Sequence, residues 1–144
     1  MYKRILVPTD GSELSVAAIC GVAELAKPLE ATVVLVTVIE PYNYNALSGY
    51  TPESIEEYDT RVQGAAEDRL QQAVDMLNAK GVATECVTVK SFSPAEAIID
   101  CIKEHNCDCV FMASHGRKGL AAVLLGSETQ KVLAMSDVPV MVYR

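Results

Sequence analysis

An apolar run over residues 109–113 ends in Ala113-Ser114-His115-Gly116, and nine residues later Gly126-Ser127 opens a helical pattern. This spacing suits a polyanion. A phosphate needs backbone N–H groups aimed at it, and a residue without Cβ lets the chain come close. A helix N-terminus adds N–H donors and a partial positive charge. The same pair has a second explanation, because Ser127 with Gln130 fits a capping box and hence an ordinary helix start. Arg117 and Lys118, between the two glycines, could face phosphate oxygens or belong to a solvated loop. His115 could be a general base or a loop histidine with a local hydrogen bond. Glu128 complements the helix dipole but does nothing for a phosphate. Neither G-x-x-x-x-G-K-[ST] nor a G-x-G-x-x-G after the first strand is present, so a Walker loop and a dinucleotide fingerprint are excluded.

A second constellation lies near the start, in Pro8-Thr9-Asp10-Gly11. Asp10 could cap the following helix. In a nucleotide site it would accept a hydrogen bond from base or ribose, or face a metal ion beside the phosphates. Val38 and Met112, near the ends of two other apolar runs, could sandwich a flat base or simply pack in the core.

The elements that must position these residues alternate. Strands are expected over 3–8, 31–39, 82–89, 109–113 and 138–143. Helices are expected over 12–27, about 53–80, 93–105 and 127–134. The first helix would bury Val16, Ile19, Cys20 and Ala23. The second would bury Val62, Ala65, Ala66, Ala73, Val74 and Leu77, and stop at Gly81. The third starts with Ser93 as cap, Pro94 in the first turn and Glu96 completing a capping box, and buries Ala95, Ile98, Ile99 and Ile102. The strand over 82–89 is less apolar and is expected nearer a sheet edge. This order implies one α/β domain over residues 1–144, a mostly parallel, doubly wound sheet with helices on both faces. Such sheets bind ligands outside the strands' carboxyl ends, where the winding reverses. The loop over 40–54 is long and carries Tyr42, Tyr44 and Tyr50, which suits a lid, a partner surface or a plain insertion.

The chain has 144 residues, half of them hydrophobic, and a net charge of −7. With no basic stripe, nucleic acid and anionic membrane are poor partners. No apolar run has the length of a membrane span or a signal-peptide core, so a cytoplasmic location is expected. The five cysteines, an odd number, argue against a disulfide framework. Cys101, Cys107 and Cys109 cluster with His105, but not with C-x2-C zinc spacing, and are read as buried structural thiols.

The chain resembles the universal stress protein family over essentially its whole length. The resemblance is carried by "ILVPTDGSELS", "SPAEAIIDCIKEHNCDCVFMASHGRKG" and "LLGSETQKVLAMSDVPVMVYR". It implies a five-stranded parallel sheet of order 3-2-1-4-5 and a homodimer through the last strand, 138–143. The family includes members that bind ATP through G-x2-G-x9-G-[ST] and members that do not. Three of the four elements match here, and Ala113 stands in place of the first glycine. Carried over by position, the resemblance implies a site at Pro8, Thr9, Asp10, Val38, Met112, Ala113, His115, Gly116, Arg117, Gly126, Ser127 and Glu128. Asp10 would touch adenosine, Val38 would pack on adenine, and Met112 and Ala113 would lie beneath base and ribose. Gly116, Gly126 and Ser127 would hold the phosphates. The expected ligand is ATP, with AMP or ADP as alternatives and Mg²⁺ as a companion.

The leading expectation is a nucleotide-binding regulatory protein acting on a protein partner, with at most slow ATP hydrolysis. The competing one is a dimeric interaction module without nucleotide, which Ala113 favours. An adenylyl-transferring enzyme would need a signature such as H-x-G-H early in the chain, which is absent. A thiol sensor lacks an activating base beside any cysteine.

Overall fold

A computed structural model describes residues 1–43, 53–116 and 125–144. Five strands alternate with four helices: β1 (Arg4–Pro8), α1 (Glu13–Leu29), β2 (Thr32–Ile39), α2 (Ile55–Ala79), β3 (Thr84–Lys90), α3 (Pro94–Glu104), β4 (Cys109–Ala113), α4 (Ser127–Met135) and β5 (Val140–Tyr143). The strands form one parallel sheet in the order β3-β2-β1-β4-β5. The sequence therefore predicts the sheet correctly, including the edge position of β3.

Side-chain alternation along the strands divides the core into two layers. Ile5, Val7, Val33, Leu35, Cys109, Phe111 and Ala113 face α1 and α2. Leu6, Val34, Val36, Val110 and Met112 face α3 and α4. β1 and β2 are covered on both sides, which is why they read as continuous apolar runs.

Several helix details differ from expectation. The buried stripe of α1 is Ser15, Ala18, Ile19, Val22, Ala23 and Ala26, whereas Val16 and Cys20 are exposed. The stripe keeps the i, i+3, i+4, i+7 spacing but starts one residue earlier, from Ser15 rather than Val16. On α2, Ala65 is exposed and Leu70 joins Ala66, Ala73 and Leu77 in the core. That helix carries a complete Ser54–Glu57 capping box, and Gly81, at φ +75°, follows its last turn.

The capping box expected at Ser93 and Glu96 does not form. Ser91 Oγ accepts the Ser93 N–H at 3.0 Å and donates to the Ser93 carbonyl at 3.1 Å, leaving Glu96 no donor to reach back to. Ser127 is likewise not a cap. Gly126 holds that position, and Gln130 donates its side-chain N–H to the Leu125 carbonyl at 2.8 Å.

Candidate functional site

β1 lies between β2 and β4, where the winding of the sheet reverses. β1 and β4 pair at Ile5↔Cys109 and Leu6↔Val110, and both run on beyond that pairing, to Pro8 and Ala113. Their carboxyl ends form the two sides of a crevice at the place where doubly wound sheets bind ligands.

The turn after β1 is fixed from below and from the side. Thr9 donates its N–H to the Val36 carbonyl at 2.9 Å, and its own carbonyl accepts the Thr37 hydroxyl at 2.9 Å. Arg69 of α2 donates to that same hydroxyl oxygen at 2.9 Å. Thr37 is fully buried, so this relay ties α2 to the turn through the core. Asp10 Oδ1 accepts the Ser12 N–H at 2.9 Å, a side-chain turn that sets the aim of the carboxylate. Gly11, at φ +78°, makes the left-handed step this turn requires.

The turn after β4 is fixed just as closely. Ser114 donates to the Tyr143 carbonyl at 2.8 Å, and its carbonyl accepts the Gly126 N–H at 2.7 Å. The Ala113 carbonyl accepts the Thr129 hydroxyl at 3.0 Å. Two consecutive carbonyls thus seat the start of α4 on the end of β4. A Cβ on Gly126 would lie 3.0 Å from His115 Cα and 3.3 Å from the Ser114 carbonyl oxygen, tighter than packing allows. A Cβ on Gly116 would run into the Asp10 carboxylate, whose Cγ would be 3.2 Å away. The two turns therefore meet across the crevice.

Each expected residue can now be placed. Pro8, Val38 and Met112 occupy alternate positions that face α3 and α4; Met112 is buried, and Pro8 and Val38 are half-buried. Thr9 and Ala113 are buried on the opposite side. His115 is half-buried, and its Nδ1 lies 2.9 Å from the Ser114 hydroxyl, the local hydrogen bond expected of a loop histidine. Ser127 begins α4, exposed, and the first N–H groups of that helix have no intrahelical acceptor. Glu128 points its chemistry elsewhere: Oε2 accepts the Ala95 N–H of α3 at 2.9 Å, and Oε1 accepts from Lys131 at 3.2 Å. Arg117, Lys118, Tyr44 and Tyr50 lie outside the described residues.

Sequence reading misses Arg69, Thr37 and Thr129. Thr37 is a hydroxyl set inside an apolar run of β2, between Val36 and Val38, and that interruption is a usable signal. Arg69 is one of many charges on α2 and gives none. At the rim, Tyr42 and Tyr58 meet edge to face at 5.3 Å, and Tyr58 donates to the Glu40 carbonyl at 2.8 Å. Arg61 lies over Tyr58 and pairs with Glu53, so the two ends of the 40–54 loop are drawn together. The hydrogen bond from Arg61 holds the Glu53 carboxyl below its usual range, and burial raises the Tyr58 phenol.

The arrangement has a polarity. An acceptor carboxylate, Asp10, stands on one side and the positive end of α4 on the other, with the half-buried Pro8 and Val38 and the buried Met112 at or near the strand ends. It suits a ligand with a flat apolar part, hydroxyl donors and an anionic tail.

The universal stress protein family model matches residues 1–144. The universal stress protein YxiE of Bacillus subtilis is 30% identical, with all of both chains covered. The universal stress protein MJ0577 of Methanocaldococcus jannaschii is 28% identical over all of this chain and 96% of its own. The solved structure of MJ0577 superposes with a TM-score of 0.84 over 99% of this chain and 96% of the other. A universal stress protein solved in complex with cAMP, 24% identical, covers 99% of this chain and 97% of its own, with a TM-score of 0.72. No helix among the described residues is long and apolar enough to cross a membrane. With a match along its full length and a shared sheet order, this chain belongs to the universal stress protein family.

Proposed function

We propose that this chain is a regulatory protein that binds ATP in the crevice between β1 and β4. ADP or AMP would use the same adenosine end, and Mg²⁺ would sit between Asp10 and the phosphates. The observation that carries the reading is the pair of glycines, Gly116 against the Asp10 carboxylate and Gly126 against His115 and Ser114, where any Cβ would crowd the crevice walls. The cAMP-bound relative supports an adenosine end of this kind. In this arrangement the adenine lies by Pro8, Val38 and Met112, the ribose by Asp10 and Ala113, and the phosphates at the first turn of α4. Occupancy would change the surface offered to a protein partner. The protein would work in the cytoplasm as a homodimer through the last strand.

The second reading is a dimeric interaction module without nucleotide. It is favoured by Ala113, where the ATP-binding pattern has glycine. Denaturing the purified protein and assaying released nucleotide by absorbance and mass separates the two. ATP release, or a thermal shift with millimolar ATP and Mg²⁺, supports the first; neither leaves the second. Gly126→Val should lower ATP affinity by roughly tenfold or more, about 1.4 kcal/mol, because it pushes the start of α4 off Ser114. Unchanged affinity would show that the phosphates bind elsewhere.

A further inference from the structure

The far end of the sheet carries a second cluster that nucleotide binding does not use. α3 runs antiparallel to the strands, so its last turn lies by the amino end of β1, where Arg4 Nε donates to the His105 carbonyl at 2.8 Å. On that turn Cys101, Glu104 and His105 stand at i, i+3 and i+4, which puts all three on one helical face. Their sulfur, carboxylate oxygen and imidazole nitrogen atoms all lie within 4.8 Å of one another. A tetrahedral zinc ion with bonds of about 2.0–2.3 Å holds its ligand atoms roughly 3.5 Å apart. Small side-chain rotations cover the difference.

We propose that the last turn of α3 binds a thiophilic divalent cation, with Cys101, Glu104 and His105 as its three protein ligands and water as the fourth. The linear spacing hides this set, because it follows the helical repeat and not a C-x2-C turn. One thiolate, one imidazole and one carboxylate make a borderline-soft set that suits Zn²⁺ better than Mg²⁺ or Ca²⁺.

Three surroundings favour a cation there. Cys101 is 1% exposed, but it lines a cleft of about 170 Å³ between β3 and α3. Glu96, Asp100 and Glu104 line the same cleft at i, i+4 and i+8, a run of like charge that costs the free helix stability. Lys90 is the cation facing them, and its Nζ lies 3.9 Å from Asp59. The carboxyl end of the helix adds its partial negative charge. Arg4, which donates to the His105 carbonyl, is held by both oxygens of Glu85, at 2.9 and 2.7 Å, which balances its charge.

The test uses the full chain with the exposed thiols removed, Cys20→Ser with Cys86→Ser. Co²⁺ titration should give a thiolate-to-cobalt charge-transfer band that saturates at one equivalent, and Zn²⁺ should displace it. Cys101→Ala should abolish the band. His105→Ala and Glu104→Gln, both away from the core, should keep the fold and weaken Zn²⁺ binding by roughly tenfold or more in chelator competition. Absence of the band, its survival in Cys101→Ala, or unchanged Zn²⁺ affinity in His105→Ala would each overturn the proposal. None of these readouts depends on nucleotide, so a failure here leaves the crevice reading untouched.

Discussion

Ala113 carries the methyl group that separates this chain from the ATP-binding pattern it resembles. The residue is 8% exposed and belongs to the core layer shared with Val7 and Phe111, on the side of α1 and α2. Met112, its neighbour, faces the other way, toward α3 and α4. The methyl therefore packs against protein as well as bordering the crevice. Ala113→Gly removes one buried carbon, worth about 0.8 kcal/mol, and adds backbone freedom worth roughly 0.5–1 kcal/mol. Urea unfolding should show a loss of about 1–2 kcal/mol, while ATP affinity measured by calorimetry holds or rises. A clear fall in affinity would show that the methyl helps the ligand rather than crowding it. Much at this scale is legible in the sequence, because Gly116, Gly126 and Asp10 announce themselves by type and spacing. Their meeting across the crevice is not, since it depends on two turns 106 positions apart along the chain.

Among the elements, α3 and α4 are coupled in a way no local pattern reveals. Each lacks a side-chain cap of its own. Local sequence offers Ser93 with Glu96 and Ser127 with Gln130, both plausible boxes, and both lose to better-placed partners. Ser91 takes the Ser93 N–H, and Glu128 reaches from α4 to the Ala95 N–H. That carboxylate satisfies one of the orphan donors of α3 and places an anion at its positive end. Glu128 thus holds the first turn of α4, where phosphates are proposed to bind, against α3. Glu128→Ala should cost about 1 kcal/mol in denaturant unfolding, the usual cost of a lost cap. ATP affinity should not fall, because the removed charge would oppose phosphate. Loss of affinity with stability unchanged would instead place Glu128 in the nucleotide site.

Across the whole molecule, a parallel doubly wound sheet follows from alternation of strand and helix and its order is what the family resemblance implies, yet two of its consequences rest on burial and edges. Burial raises the thiols of Cys107 and Cys109 to about 11, from 9.0. Between those values the unfolded chain loses protons that the folded chain keeps, so stability is complete below pH 9 and declines as pH rises toward 11. Urea midpoints measured across that window should fall, and a thiol reagent should find Cys20 and Cys86 in the native protein and the other three only after unfolding. Five thiols reacting together would contradict the burial. The edge is the second consequence. β5 bonds to β4 through the Pro139 carbonyl, which accepts from Val110 at 2.9 Å, and the Tyr143 carbonyl, which accepts from Ser114 at 2.8 Å. In a parallel strand alternate residues serve one neighbour, so Val140 and Val142 present their backbone groups outward. A second copy of β5 could pair there, which is the proposed homodimer. Val142→Pro removes one outward N–H while keeping both named bonds to β4. Light scattering after gel filtration should then report half the mass of the unaltered protein; a variant that keeps the dimer mass would place the interface on another face.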